Sequence, residues 1–158
     1  MGIYLNPDNM DFQIAINSEL YVDKSELIKH TNAKIYTEQR FICVSRPRRF
    51  GKSMAANMLT AYYSRGCDSR EMFSGYKIAN DPSFEKHLNE YNVIHINMVN
   101  YLGEAENVEE MIKFIEDDVI DEITEEFTDI NLPRRKTLIN VLNKAYAQYK
   151  MPFIFIID

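Results

Sequence analysis

Three short apolar runs, separated by stretches of helical periodicity, predict an α/β fold in which a parallel sheet is flanked by helices. The runs are Phe41–Val44, Val93–Met98 and Phe153–Ile157. They are rich in aromatic and β-branched residues, which suit a pleated, packed surface. The helical signal is clearest over 107–127. There Val108, Met111, Ile112, Ile115, Val119, Ile123 and Phe127 recur every three or four residues and share one face. The chain has 158 residues, 46% hydrophobic and 27% charged. That composition is ordinary for a globular domain with a real core and argues against disorder. Residues 1–36 read as a segment preceding the core, and 37–158 as the core itself.

The elements follow in order. Residues 1–24 are mixed and turn-rich, with a loop at Pro7-Asp8-Asn9. Asp23, with Glu26 three residues on, has capping-box spacing and starts a short helix to about His30. Lys34–Thr37 reads as a short extended piece, before the first apolar run. Met54–Tyr63 is built mostly of good helix formers. Glu71–Gly75 predicts a helical turn ended by its glycine. Asp81-Pro82 is a start signal, cap then first helical position, for a helix to about Glu90. The Val93–Met98 run alternates as a strand should. His95 within it reads as a satisfied strand histidine, and His30 and His87 as surface helix residues. Asn107 caps the long helix. Its many carboxylates, Glu122 among them, read as a solvated face. Pro133-Arg134-Arg135-Lys136 starts another helix, with Leu138, Val141, Leu142, Ala145 and Tyr149 on its apolar face. Pro152–Ile157 reads as the continuous apolar run of a fully buried parallel strand, ended by Asp158.

The chemistry lies between the first run and the helix after it. Arg46-Pro47-Arg48-Arg49-Phe50-Gly51-Lys52-Ser53 joins a predicted strand to a helix through a tight basic loop. That order is the phosphate-binding loop of nucleotide triphosphatases and kinases. Backbone N–H groups and the positive end of the helix dipole converge on such a loop. Gly51 lets the backbone approach a phosphate, and Met54 opens the helix. Lys52 reaches the β- and γ-phosphates, and the Ser53 hydroxyl suits Mg²⁺. The full pattern has glycine where this chain has Arg46. Pro47 stiffens the first turn and removes a donor. Arg46, Arg48 and Arg49 have two readings, bracing phosphate oxygens or pairing with the acidic surface.

The same residues resemble the phosphate loop of the bacterial AAA-ATPase-like family. The resemblance extends to Gly2–Pro7, Tyr21-Val22-Asp23-Lys24-Ser25-Glu26-Leu27-Ile28, Thr37–Ser45 and Asn57–Tyr63, and so covers essentially the whole chain. In that family the Arg46 variant is expected. The resemblance implies a P-loop ATPase fold with ATP and Mg²⁺ as cofactors. It also implies a nuclease-like domain of the PD-(D/E)xK class following in the parent protein. By the same resemblance Phe153–Asp158 is the Walker B strand. Asp158 then joins Ser53 on Mg²⁺, and Lys52 and Asp158 are the catalytic residues. A glutamate that polarises the attacking water would come next, and no residue follows Asp158. The chain is therefore expected to be an N-terminal part of an ATPase domain, truncated after the Walker B strand. Weak nucleotide binding, little turnover and self-association through open sheet edges are the corresponding expectations. Two other functions fit the loop: a P-loop kinase, and a non-hydrolysing nucleotide-binding interaction module.

Bulk properties narrow the rest. The formal net charge of −6 speaks against wholesale nucleic-acid binding, so nucleic-acid contact is expected only through the parent protein. Cys43, in the first apolar run, reads as a packed thiol. With Cys67 it makes neither a disulfide framework nor a zinc site, so a reducing, cytoplasmic setting is expected. No apolar run is long enough for a membrane span or a secretion signal.

Overall fold

A computed structural model describes residues 2–158. Two strands, β1 (Asn92–Ile96) and β2 (Phe153–Ile157), form a parallel sheet. Its register sets Asn92 opposite Phe153 and Ile96 opposite Ile157. The other edge of β1 is taken by the start of the chain. Leu5 forms an antiparallel bridge with Ile94, Asn6 N–H donates to the Val93 carbonyl at 2.7 Å, and His95 N–H donates to that of Tyr4 at 2.9 Å. β1 is thus paired on both sides, and among the described residues the outer edge of β2 is unpaired.

Side chains alternate across the strands, so the sheet separates two cores. On one face Val93 and Ile156 join Phe12, Ile28, Tyr62, Tyr63, Phe73 and Phe84. These come from α1 (Met10–Ile16), α2 (Glu26–Asn32), α3 (Lys52–Tyr63), α4 (Arg70–Phe73) and α5 (Phe84–His87). On the other face Ile94 and Ile96 join Met111, Ile115, Val119 and Ile123 of α6 (Val108–Glu126), and Val141 and Ala145 of α7 (Leu138–Tyr149). Helices on both faces are what a parallel pair requires. The long helix forms where its periodicity puts it. The Asn107 side chain accepts the Glu110 N–H at 2.8 Å, and α6 turns Met111, Ile115, Val119 and Ile123 inward.

One carboxylate fixes the start of the chain against α6. Glu122 accepts N–H bonds from Ile3, Tyr4 and Leu5 at 2.8, 2.9 and 2.6 Å. This residue is not on an idle solvated face: its carboxylate accepts three consecutive backbone N–H groups at the start of the chain.

Several sequence expectations are corrected. Phe41–Val44 is not a strand; residues 40–47 carry no regular structure and 41–50 are exposed. A strand needs an edge to satisfy its backbone groups. Both edges of β1 are taken and the run does not pair with the outer edge of β2; it lies among Arg40, Arg46, Arg48, Arg49 and Lys52, whose charges favour water. Cys43 is accordingly exposed rather than packed. β2 is not fully buried, since Phe155 and Ile157 stand on the open edge strand, 44% and 65% exposed. Lys34–Thr37 turns instead of extending. The helix expected from Asp23 begins at Glu26, because the Asp23 carboxylate is used on the N–H groups of Ser25 and Lys77. The Asp81-Pro82 helix is the single turn α5, with Asn89 left-handed at φ 57° soon after it. The helix expected from Pro133 begins at Leu138. His87 is buried rather than on the surface, its ring stacked on Tyr91 with Nδ1 2.6 Å from that hydroxyl.

Candidate functional site

The loop that sequence singled out is solvent-facing. It ends in Gly51, which stands in the left-handed region at φ 73° as the residue before α3, and Arg49 is left-handed at φ 67°. Two left-handed residues flank Phe50 and set the tight turn that leads into α3. Among the described residues no side chain caps α3, so the N–H groups of its first turn have no partner there from the helix or from a cap.

Two ammonium groups hold this loop by its carbonyls. Lys52 Nζ donates to the Arg46 carbonyl at 3.2 Å, and Lys24 Nζ donates to the Phe50 carbonyl at 2.6 Å. Both lysines line an open cleft of about 360 Å³, within the roughly 300–1,000 Å³ typical of small-molecule sites. Arg46 and Gly51 line it too, and Leu27, Val44, Phe50 and Ala55 supply an apolar wall.

The charge distribution is one-sided. Between Glu38 and Asp68 the chain has no acidic residue, while Arg40, Arg46, Arg48, Arg49, Lys52 and Arg65 are all basic. Among the described residues no carboxylate pairs with Arg46, Arg48, Arg49, Lys24 or Lys52. Surface pairing, one of the two readings of the loop arginines, is therefore not found. Pro47 and Arg48 are exposed with the rest of the loop, Ser53 is exposed on the first turn of α3, and Met54 beside it is half-buried.

Asp158 sits at the same end of the sheet as this loop. The last turn of α3 is anchored at the start of β1, where Ser64 bridges Tyr91 and Tyr91 N–H donates to the Tyr63 carbonyl at 3.0 Å. From there α3 lies across both strands. Its 12 residues span about 18 Å, close to the ~20 Å of strand from Tyr91 to the level of Asp158. Asp158 continues the ladder, donating its N–H to the Ile96 carbonyl and accepting the Met98 N–H, each at 2.9 Å. Following Ile154 and Ile156 by alternation, it lies on the α3 face.

His95 connects these parts. Its Nδ1 is 3.1 Å from the Thr60 hydroxyl on α3. Burial pushes the imidazole below its usual range, while the charges of Asp158 and Asp11 pull it up. His95 is thus a satisfied strand histidine, as its pattern predicts, with Asp158 in electrostatic reach. Among the described residues no group of His, Cys, Asp and Glu is arranged to hold a metal ion by itself. A cation here would also need oxygens from Ser53 and from a bound ligand.

Sequence reasoning missed Lys24. It falls within the Tyr21–Ile28 stretch, but nothing in its own neighbourhood marks it as a partner of a loop 26 residues away.

Fold and site together define a helix-covered parallel α/β protein with an exposed cationic loop leading into α3. The chain matches the family model AAA-ATPase_like, described as predicted AAA-ATPase, over residues 10–158, and it belongs to that family. No curated protein and no solved structure matches it significantly. Among the described residues no helix is long and apolar enough to cross a membrane.

Proposed function

We propose that this chain binds Mg-ATP at Arg46–Ser53 and Asp158, as the nucleotide-binding part of an ATPase. The observation that carries the reading is the acid-free cationic loop at the start of α3, which among the described residues has neither an ion pair nor a side-chain cap. The free N–H groups and the arginines take the phosphates, and the apolar wall takes the base. Lys52 leaves the Arg46 carbonyl for a phosphate oxygen, a stronger acceptor for an ammonium. Ser53 and Asp158 supply oxygen donors to Mg²⁺, which neutralises charge developing on the phosphates. The P-loop fold, hydrolysis, and coupling to a nuclease-like domain in the parent protein belong to the same proposal. Family membership supports the ATPase part of this reading; the nuclease-like domain rests on the resemblance alone. Self-association is supported by the open edge of β2.

Calorimetric titration with ATP, with and without Mg²⁺, tests the reading. Binding should be Mg²⁺-dependent and weaken about tenfold or more in Lys52→Ala and in Asp158→Asn, the scale of losing one charged contact. Unchanged affinity in both variants, or no binding by the unaltered chain, would refute it.

A further inference from the structure

Lys24 comes from outside the loop, yet its ammonium touches the loop's most sensitive point. Its backbone is pinned on both sides. Asp23 accepts the Lys77 N–H at 3.1 Å, and the buried Ser25 hydroxyl oxygen accepts the Ile78 N–H at 3.2 Å. From this fixed base the side chain crosses to the Phe50 carbonyl and into the cleft that Lys52 also lines. A Cβ on Gly51 would stand 2.6 Å from Lys24 Nζ. The glycine therefore leaves room for this ammonium as well as for the turn.

An ammonium has three donors, and the Phe50 carbonyl engages one of Lys24's. No carboxylate neutralises it among the described residues. A neutral carbonyl is a poorer acceptor for a cation than a phosphate oxygen. The cleft thus contains a second, pre-positioned cation whose present partner is the weaker of the two.

We propose that Lys24 is a phosphate-binding residue of this site, its ammonium moving from the Phe50 carbonyl to the phosphate chain of the bound nucleotide. This rests on the nucleotide reading above and adds a residue to it. The exchange would also loosen the Phe50 carbonyl when nucleotide enters, so the loop and the Asp23–Ser25 anchor respond together.

Lys24→Gln separates the two roles this side chain could have. Glutamine keeps an N–H donor, on a side chain one bond shorter, but carries no charge. Titration with Mg-ATP and with adenosine should show about tenfold weaker ATP binding in Lys24→Gln, one charge-assisted contact's worth. Adenosine binding and the melting temperature without ligand should be unchanged. Lys24→Arg, which restores the charge, should recover ATP affinity to within about threefold. ATP affinity unchanged in Lys24→Gln would overturn the proposal, as would equal losses for ATP and adenosine, or no recovery in Lys24→Arg. These results differ from failure of the nucleotide reading, in which the unaltered chain itself binds no ATP.

Discussion

Replacing Glu122 by alanine should be among the most destabilising surface changes in this protein. The carboxylate accepts three backbone N–H groups, from Ile3, Tyr4 and Leu5, at 2.6 to 2.9 Å. Hydrogen bonds to a charged group contribute about 1.5–3 kcal/mol each when well buried. This site is only part-buried, so ~1 kcal/mol each, ~3 kcal/mol in all, is the appropriate scale. For a domain of this size 1 kcal/mol shifts Tm by about 2–4 °C, so Glu122→Ala should melt ~6–12 °C lower. Glu122→Gln should fall between, because an amide keeps one acceptor oxygen and turns its NH₂ toward a donor. Circular dichroism gives the melting temperatures. Hydrogen exchange adds the specific signature: the amides of Tyr4 and Leu5 should lose protection while those of β2 keep theirs. A Tm within about 2 °C of the unaltered protein, with Tyr4 and Leu5 still protected, would refute the argument that Glu122 anchors the chain's start.

Two further outcomes follow from the loop and the sheet. Gly51→Ala places a side chain at φ 73° and 2.6 Å from Lys24 Nζ, so it should cost about 1–2 kcal/mol, lowering Tm and ATP affinity together; unchanged melting and affinity would contradict both the turn and the Lys24 contact. Burial holds the imidazoles of His87 and His95 below their ordinary value of 6.5, so both are neutral in the fold. The unfolded chain takes up their protons below that value, so stability is complete above about pH 6.5 and falls as pH drops through the folded values. Melting measured from pH 7.5 to 5 should show that decline, flattened in the double variant His87→Gln, His95→Gln. A profile level across that range would count against the buried neutral histidines.

What could be read in advance, and what could not, divides along local and long-range physics. Asn107 and the three-and-four spacing of Met111, Ile115, Val119 and Ile123 determine α6, because a cap and an apolar stripe act within a turn or two of their own backbone. The apolar runs that became β1 and β2 were legible for the same reason. So was the loop-to-helix order of Gly51-Lys52-Ser53, which is contiguous in sequence and names a ligand class by its chemistry. Phe41–Val44 carries as strong a strand signal, yet a strand exists only where another edge receives it. The start of the chain occupies the free edge of β1, and the run, with basic residues around it, leaves the outer edge of β2 unpaired among the described residues. Glu122 looks like any other carboxylate on a charged helix face until the fold brings Ile3, Tyr4 and Leu5 to it across more than a hundred residues. Lys24 is a similar case: its meaning depends on the Phe50 carbonyl, which no spacing rule links to it. By itself the sequence determined the long helix α6, the two paired strands and the loop-to-helix order at Gly51-Lys52-Ser53, since these depend on near neighbours, whereas α1 (Met10–Ile16) formed in a stretch that reads as turn-rich. The tertiary structure decided which edges are filled, which charges act as anchors, and that a second lysine stands over the loop, since those depend on contacts between distant parts of the chain.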